Sequence, residues 1–158
     1  MTTHSEPSVG NLAGNHPAKI AKRYFLATRP MFLTASLLSV VIGTSYGALQ
    51  AGQLNIYVAL LALCTIACLH ASFNVFNDVF DELNGTDRAN TQRVYPFTGG
   101  SRFIQNNILS IQQMRRWASL LLFIAVLLGS LLLIDLGPHI LIFGLLGMAL
   151  GFFYSAPP

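Results

Sequence analysis

Polar and apolar residues follow one another along this chain in long blocks rather than at short intervals. Four blocks are almost uniformly apolar, and they cover residues 30–49, 56–76, 117–136 and 140–154. A helix needs about 20 apolar residues to cross the hydrocarbon core of a bilayer, so three blocks reach the full length and the fourth is shorter. The pattern predicts an all-α fold, a multi-span transmembrane helix bundle with four spans in a membrane domain at residues 30–158.

Two segments precede the first span. Residues 1–17 are rich in Ser, Thr, Asn, Gly, Pro and His without apolar periodicity, so we predict a disordered polar tail. In residues 18–29, basic residues alternate with apolar ones, which is typical of a short interfacial helix in the lipid headgroup region. No signal peptide is indicated, because the first apolar block is long enough to span the membrane and we expect it to be retained.

The composition and the placement of charge also indicate a membrane protein. Hydrophobic residues make up 53% of the chain and charged residues 9%, whereas a soluble domain of this length carries far more charge. All nine Lys and Arg residues lie either before residue 30 or in the polar connection at residues 77–116. The positive-inside rule makes that side cytoplasmic. We therefore expect a multi-pass integral membrane protein of the bacterial inner membrane with a cytoplasmic amino terminus, and no nucleic-acid partner.

An acidic segment, residues 77–87, follows the second span and holds four of the six Asp and Glu residues of the chain. At helical spacing, five polar side chains share an arc roughly 100° wide; they are His70, Asn74, Asn77, Asp78 and Asp81. Asn84-Gly85 predicts the end of this helix, since glycine takes the left-handed conformation readily. Crowded carboxylates need hydration or a cation, and oxygen-only ligands favour Mg²⁺. The alternative is a solvated loop that merely ends a helix.

The acidic segment lies at the mouth of a helix bundle, which indicates an amphiphilic substrate. The head of a diphosphate on a long hydrocarbon tail would bind there through Mg²⁺, whose candidate ligands are Asn77, Asp78, Asp81 and Asp87. Three arginines of the connection are candidates for charge-assisted bonds to the diphosphate, although any cytoplasmic loop carries arginines; they are Arg88, Arg93 and Arg102. His70 and Asn74 are candidates for the substrate pocket, and a packed, hydrogen-bonded histidine is the commoner role.

The pattern Asn77-Asp78-x-x-Asp81-x-x-x-Gly85-x-Asp87 resembles the first aspartate-rich motif of the UbiA superfamily of intramembrane aromatic prenyltransferases, in the form seen in menaquinone-type members. Three further segments match the family pattern, namely Arg29-Pro30, Thr98-Gly99-Gly100-Ser101-Arg102 and Tyr154-Ser155-Ala156-Pro157-Pro158. The resemblance covers about Arg29 to Pro158.

The resemblance implies Mg²⁺-dependent transfer of a prenyl group from a prenyl diphosphate to an aromatic acceptor such as a quinone precursor. It implies Asn77 and Asp81 as the first metal ligands, with Asp78 and Asp87 close behind, and Asp78 and Asp81 as the catalytic residues. Family members have nine spans and a second aspartate-rich motif after the sixth. We therefore interpret the chain as an amino-terminal half, inactive alone, whose partners are the two substrates, the lipid bilayer and the missing carboxy-terminal half.

Two other classes of membrane protein share part of the pattern. Membrane CDP-alcohol phosphotransferases also use Asp clusters and Mg²⁺, but they need Gly directly after the second Asp, where Glu82 follows Asp81 in this chain. A four-span transporter or channel subunit with a cation-binding cytoplasmic vestibule would have charges deep within several spans. The acidic residues lie instead at the edge of one span, which favours the transferase.

The charge distribution generates a prediction about topology. A cysteine placed at Gln53, in the turn between the first two spans, is expected to react with an impermeant thiol reagent added to sealed cells, because that turn is external. A cysteine at Thr91, in the connection, is expected to be protected. Both variants are made in a background that lacks Cys64 and Cys68. Labelling at position 91 in sealed cells would overturn the assigned orientation.

Overall fold

The structure is a computed structural model that describes residues 6–155, with side chains described as far as Tyr154. Within this range the regular secondary structure is entirely helical, without a β-strand, so the prediction of an all-α fold is confirmed. The helices are α1 (Val9–Leu12), α2 (Pro17–Ala27), α3 (Pro30–Ala51), α4 (Ile56–Asn84), α5 (Thr86–Ala89), α6 (Ile111–Leu136) and α7 (Ile140–Ser155). Residues 1–5 and 156–158, the latter from the predicted Tyr154–Pro158 motif, lie outside the described range.

Three helices are long and apolar enough to cross a membrane. They are α3, α4 and α6, and an 18-residue stretch of each has a mean hydropathy of 1.6, 2.1 and 2.6, respectively. The fourth predicted span is α7, a shorter apolar helix. Large apolar side chains such as Leu49, Ile134 and Phe153 are more than three-quarters exposed, and a bilayer would cover them. The predicted multi-span helical bundle is thus confirmed.

Helix α4 is the centre of the bundle, because α3, α6 and α7 all pack against it. Its most extensive contact is with α6, where the side chains of Ser72, Val75, Met114 and Ala118 are fully buried. Ser72 Oγ donates a hydrogen bond of 2.9 Å to the carbonyl oxygen of Ala118. Small residues let two helix backbones approach closely, and a hydroxyl that bonds across the contact adds to helix association in lipid. The most tightly packed helix of the bundle therefore carries the acidic segment.

Both ends of α4 follow from local sequence. The side chain of Asn55 accepts a hydrogen bond from the backbone N–H of Val58 at 3.1 Å and caps the first turn. The helix ends at Asn84, and Gly85 follows with φ of 78° in the left-handed region, as predicted. Helix α4 thus continues beyond the apolar block at residues 56–76, and most of the acidic segment lies on its last turns.

The polar connection at residues 77–116 is more helical than its composition indicates. Its first part is the end of α4, its last part is the first turn of α6, and α5 lies between them. Helix α6 begins before Trp117 because Ser110 and Gln113 form a capping box, in which each side chain bonds to the other residue's backbone N–H. Hydropathy alone places the start of this helix too late, since its first turns are polar.

The described part of the predicted disordered tail, residues 6–17, is folded onto the bundle. Helix α1 forms there, and Leu12 is only 5% exposed in a core cluster that includes Phe103. Glu6 Oε1 accepts a hydrogen bond from Arg93 Nε at 2.7 Å. One buried leucine and one ion pair thus anchor a segment whose composition shows no periodicity. The basic helix predicted at residues 18–29 forms as α2.

Candidate active site

The acidic segment is buried beneath an irregular stretch of the connection that we call the covering loop, residues 98–105. Asp78 and Asp87 are each 2% exposed and Glu82 is 6% exposed, while Asp81 is partly exposed. Burying an ionised carboxylate is costly unless donors or cations replace its lost water. The contacts of each carboxylate therefore define what this site is built to hold.

Asp78 is held by the backbone of the covering loop. The N–H of Ser101 donates to both carboxylate oxygens of Asp78, at 3.2 and 3.1 Å. Arg29 Nη1 lies 3.7 Å from Asp78 Oδ1 and adds a partly screened ion pair. Both contacts favour the ionised carboxylate and fix its orientation.

Two carboxylates share the space around Gly100. A Cβ atom at this residue would lie 2.8 Å from Asp78 Oδ1 and 2.7 Å from Asp87 Oδ2, and Gly100 has φ of +72°. The close approach leaves no room for a side chain, and the left-handed backbone favours glycine. Burial raises the pKa of Asp87 above its ordinary value, while Arg102 and the hydrogen bond from Gln105 act in the opposite direction. An oxygen of each carboxylate therefore lies where a side chain at residue 100 would begin.

Asn77 and Asp81 lie next to this pair on the exposed side of α4. Asn77 Nδ2 donates to Asp81 Oδ2 at 3.0 Å, and Arg29 Nη1 donates to Asn77 Oδ1 at 3.4 Å. The two residues are one helical turn apart, so their predicted placement on one face holds in the structure.

Arg29 belongs to the site, although sequence analysis treated it only as part of a motif at the first span. It precedes α3 with φ of 55°, and its guanidinium lies 4.8 Å from the centre of the Phe32 ring. Its side chain is 17% exposed, and its buried Nε has no hydrogen-bond partner among the described residues. A left-handed backbone at a non-glycine residue is uncommon and directs this side chain toward Asp78.

The three predicted diphosphate ligands all have acceptors within the protein. Arg102 is buried, and its Nη1 donates to the carbonyl oxygen of Asp87 at 2.8 Å. Arg88 donates through Nε to Glu82 at 2.8 Å, and its Nη2 contacts the same carboxylate. Arg93 pairs with Glu6 and holds the pKa of that carboxyl below its ordinary value. Arg102 orders the acidic segment directly, whereas the other two arginines are bound to neighbouring carboxylates.

The two predicted pocket residues lie deeper along α4 and make helix-packing contacts. A hydrogen bond of 2.7 Å joins His70 Nδ1 to Ser36 Oγ on α3. Asn74 Nδ2 donates to the carbonyl oxygen of Thr28 at 2.9 Å. These bonds tie α3 and the end of α2 to the central helix, and they are the packed role that sequence analysis weighed for His70.

A cavity of about 340 Å³ opens beside the acidic pair. Arg29, Phe32 and Tyr95 line it together with Gly100 and Ser101 of the covering loop. It thus combines aromatic walls, one cation and the backbone that holds Asp78. None of the sequence patterns brings Tyr95 and Phe32 together, because they lie far apart along the chain.

Metal-binding capacity is limited to small sets of ligands. Across residues 6–155, no three His, Cys, Asp or Glu side chains are grouped closely enough to hold one metal ion among them. The side chains that bring potential oxygen ligands together form two pairs, Asp78 with Asp87 and Asn77 with Asp81. Glu82 and Gln105, which sequence analysis did not single out as site residues, bond to each other and to this region.

Gly100 provides a test of the acidic pair. We expect Gly100→Ala to lower the melting temperature in detergent by clearly more than Gly85→Ala, because both substitutions place alanine at positive φ, a cost of about 1–2 kcal/mol. Only position 100 adds a collision with two carboxylates, since a Cβ at Gly85 meets nothing within 4 Å. Equal losses at the two positions would contradict the described packing of Asp78 and Asp87.

Comparison with known proteins places these features in a family. The UbiA prenyltransferase family matches residues 36–157. The chain is 30% identical over 113 residues to the 1,4-dihydroxy-2-naphthoate octaprenyltransferase of Escherichia coli (strain K12), which is 72% of this chain and 34% of that relative. It is 33% identical over 86 residues to the UbiA prenyltransferase domain-containing protein 1 homolog of Drosophila melanogaster, which is 50% of this chain and 24% of that relative.

The chain therefore spans about a third or less of the length of these curated relatives. No solved structure matches the chain significantly. The family match includes α4, the acidic segment and the covering loop, and three of the matched helices are long and apolar enough to cross a membrane, as in a multi-pass integral membrane protein. Because the match extends over most of the described sequence, the chain belongs to the UbiA prenyltransferase family.

Proposed function

We propose that this chain takes part in Mg²⁺-dependent transfer of a prenyl group from a prenyl diphosphate to an aromatic acceptor. The observation that carries the proposal is the buried pair of carboxylates around Gly100, at the end of an apolar helix bundle. Family membership supports the class of reaction. The similarity to the 1,4-dihydroxy-2-naphthoate octaprenyltransferase of Escherichia coli supports a dihydroxynaphthoate as the acceptor.

The donor set fits a magnesium ion. Asn77, Asp78, Asp81 and Asp87 offer oxygen ligands alone, which hard cations prefer. Mg²⁺ is commonly held through one or two carboxylates, with waters and substrate phosphates in its other positions, so a pair of carboxylates is a sufficient protein contribution. A bound Mg²⁺ would neutralise negative charge on the departing diphosphate.

The residues of the chain would orient the leaving group and keep water away. The N–H of Ser101 holds Asp78, and the Nε of Arg29 is a buried donor without a partner in the described residues, available to a phosphate oxygen or an acidic substituent. In the reaction, the bond between the prenyl carbon and the diphosphate oxygen breaks, and the diphosphate leaves with the electron pair. A ring carbon of the acceptor then bonds to the prenyl carbon and transfers its proton to the released diphosphate. The covering loop shields this step from bulk water.

The cavity beside the acidic pair supports an aromatic acceptor. Phe32 and Tyr95 offer aromatic contacts for a ring, and Arg29 is a cation for an acidic substituent. The same cavity borders Gly100, so a ring bound there would lie close to the position proposed for the diphosphate. We further propose that this end of the bundle faces the cytoplasm, where Mg²⁺ and anionic metabolites are available.

The chain covers only part of the length of its relatives, which supports a role as one part of a longer enzyme. It covers 34% of the Escherichia coli relative. We propose that a carboxy-terminal part supplies the opposite wall of the site and further ligands to the diphosphate. Leaving-group charge would then be neutralised from more than one direction.

Substitution of Asn77 or Asp81 tests the role of the acidic segment. In the complete enzyme, Asp81→Ala and Asn77→Ala are each expected to lower turnover by at least about a hundredfold, the usual effect of removing a group that stabilises transition-state charge. Little loss of folded protein is expected, since the side chains of Asn77 and Asp81 are only partly buried. The measurements are prenyl transfer at saturating Mg²⁺, yield and melting temperature. Asp135→Ala, at an exposed acidic residue of α6, is the matched control.

Two outcomes of that experiment count against the proposal. Turnover near wild type in Asp81→Ala would show that Asp81 has no role in the mechanism. A collapse in yield or melting temperature that accounts for the lost turnover would assign the pair a structural role.

If the chain is one part of a longer enzyme, the 158-residue chain is expected to insert into membranes but not to transfer prenyl groups by itself. The purified chain is incubated with Mg²⁺, geranyl diphosphate and a panel of phenolic acceptors, with and without a co-expressed carboxy-terminal part. A missing wall would admit water and remove ligands, and each loss of about 1.4 kcal/mol lowers the rate tenfold. Metal-dependent product from a monomeric preparation of the chain would show that it needs no further part.

A further inference from the structure

Gln105 joins two buried carboxylates through one amide group. Its Nε2 donates to Glu82 Oε2 at 3.0 Å and to Asp87 Oδ2 at 3.1 Å. A side-chain amide nitrogen carries two hydrogens, so each carboxylate receives one. Both acceptors are less than a tenth exposed, and Gln105 therefore replaces water for each of them.

The Glu82 end of this bridge is anchored. Glu82 Oε1 accepts from Arg88, which follows Asp87 directly along the chain, and Glu82 Oε2 accepts from Gln105. The contacts thus form a closed ring that runs from Arg88 to Glu82, to Gln105 and to Asp87. A closed ring of contacts fixes the relative positions of its members better than a single bond, because one member cannot move without disturbing the next.

Asp87 needs such a support because its own helix is short. Helix α5 has four residues and follows the left-handed Gly85, so local propensity does little to fix it. The backbone of Asp87 is held by Arg102, whose Nη1 donates to its carbonyl oxygen. The only donor that the structure gives to the Asp87 carboxylate within residues 6–155 is Gln105.

The charge of this donor is as important as its position. An arginine or lysine in place of Gln105 would also bond to both carboxylates, but it would neutralise them and compete with a cation for the same oxygens. A neutral amide orients the carboxylate and leaves its negative charge in place. Asp78 also receives a neutral donor, the N–H of Ser101, beside its longer contact of 3.7 Å with Arg29.

We propose that Gln105 is a positioning residue that holds the Asp87 carboxylate beside Asp78 through a neutral donor, so that the pair can bind a divalent cation. This inference rests on the proposed function, because it assumes that the acidic pair binds a metal ion. Gln105 acts through Asp87 and touches neither the ion nor the substrate.

The test measures metal binding rather than turnover. Mn²⁺ is titrated into the complete enzyme, which is this chain together with the co-expressed carboxy-terminal part, purified in detergent, and the free ion is measured by electron paramagnetic resonance. Gln105→Met removes the donor at similar length, and Gln105→Lys keeps a donor but adds positive charge. Gln112→Met, at an exposed glutamine of α6, is the matched control, and Asp87→Asn reports on the carboxylate itself. Melting temperatures are recorded for every variant.

We expect Gln105→Met to weaken Mn²⁺ binding about tenfold, which corresponds to loss of one hydrogen bond to a charged group. We expect Gln105→Lys to weaken it at least as much although its melting temperature equals that of the wild type, and Gln112→Met to change neither. The lysine variant keeps the test decisive if the methionine variant folds poorly.

The outcomes separate this inference from the proposed function. Wild-type Mn²⁺ affinity in Gln105→Met, or full affinity restored by Gln105→Lys, would overturn the positioning role while the metal site stands. Equal affinity in the wild type and Asp87→Asn, or no binding by the wild type, would overturn the metal assignment and the positioning role with it.

Discussion

The placement of two carboxylates in a nearly dry space at the end of an apolar helix is the constraint on which the rest of the structure depends. Asp78 and Asp87 are each 2% exposed, and a Cβ atom at Gly100 would meet an oxygen of both. Like charges in a low dielectric repel strongly, and each needs donors to replace its lost water. The covering loop supplies them, through the N–H of Ser101 and the amide of Gln105. The irregular path of this loop is therefore set by the acids beneath it more than by its own propensity.

Helix α4 connects this constraint to the membrane. One face of the helix packs against α6 through Ser72 and Val75, and its last turns hold the carboxylates. Because α3 also packs on α4, the residue that precedes α3 is brought beside the acids, and Arg29 reaches Asp78 across that contact. The site is thus assembled from three separate stretches of chain whose relative positions depend on one rigid helix.

The basic residues around the site have two different roles. Arg102 bonds to the backbone of Asp87 and is buried, so its contribution is to order the acidic segment. Arg88 and Arg93 pair with Glu82 and Glu6, so a phosphate that reached either guanidinium would compete with a carboxylate already bound there. Among the described residues, the Nε atoms of both Arg29 and Arg102 are buried without a hydrogen-bond partner, but of these two residues Arg29 lines the cavity beside the acidic pair. An anion bound in that cavity would therefore meet the Arg29 guanidinium.

The amino-acid sequence by itself determined the helical class, three full-length apolar helices, the end of α4 at Gly85 and the helical face that carries Asn77 and Asp81. These features depend on residues near one another along the chain, where periodicity and glycine conformation act directly. Only the tertiary structure decided that two carboxylates meet at Gly100, that Gln105 bridges Glu82 and Asp87, and that residues 6–17 fold onto the bundle. Each of these depends on contacts between distant residues, and an isolated glutamine, glycine or leucine carries no periodic signal that could reveal its partner.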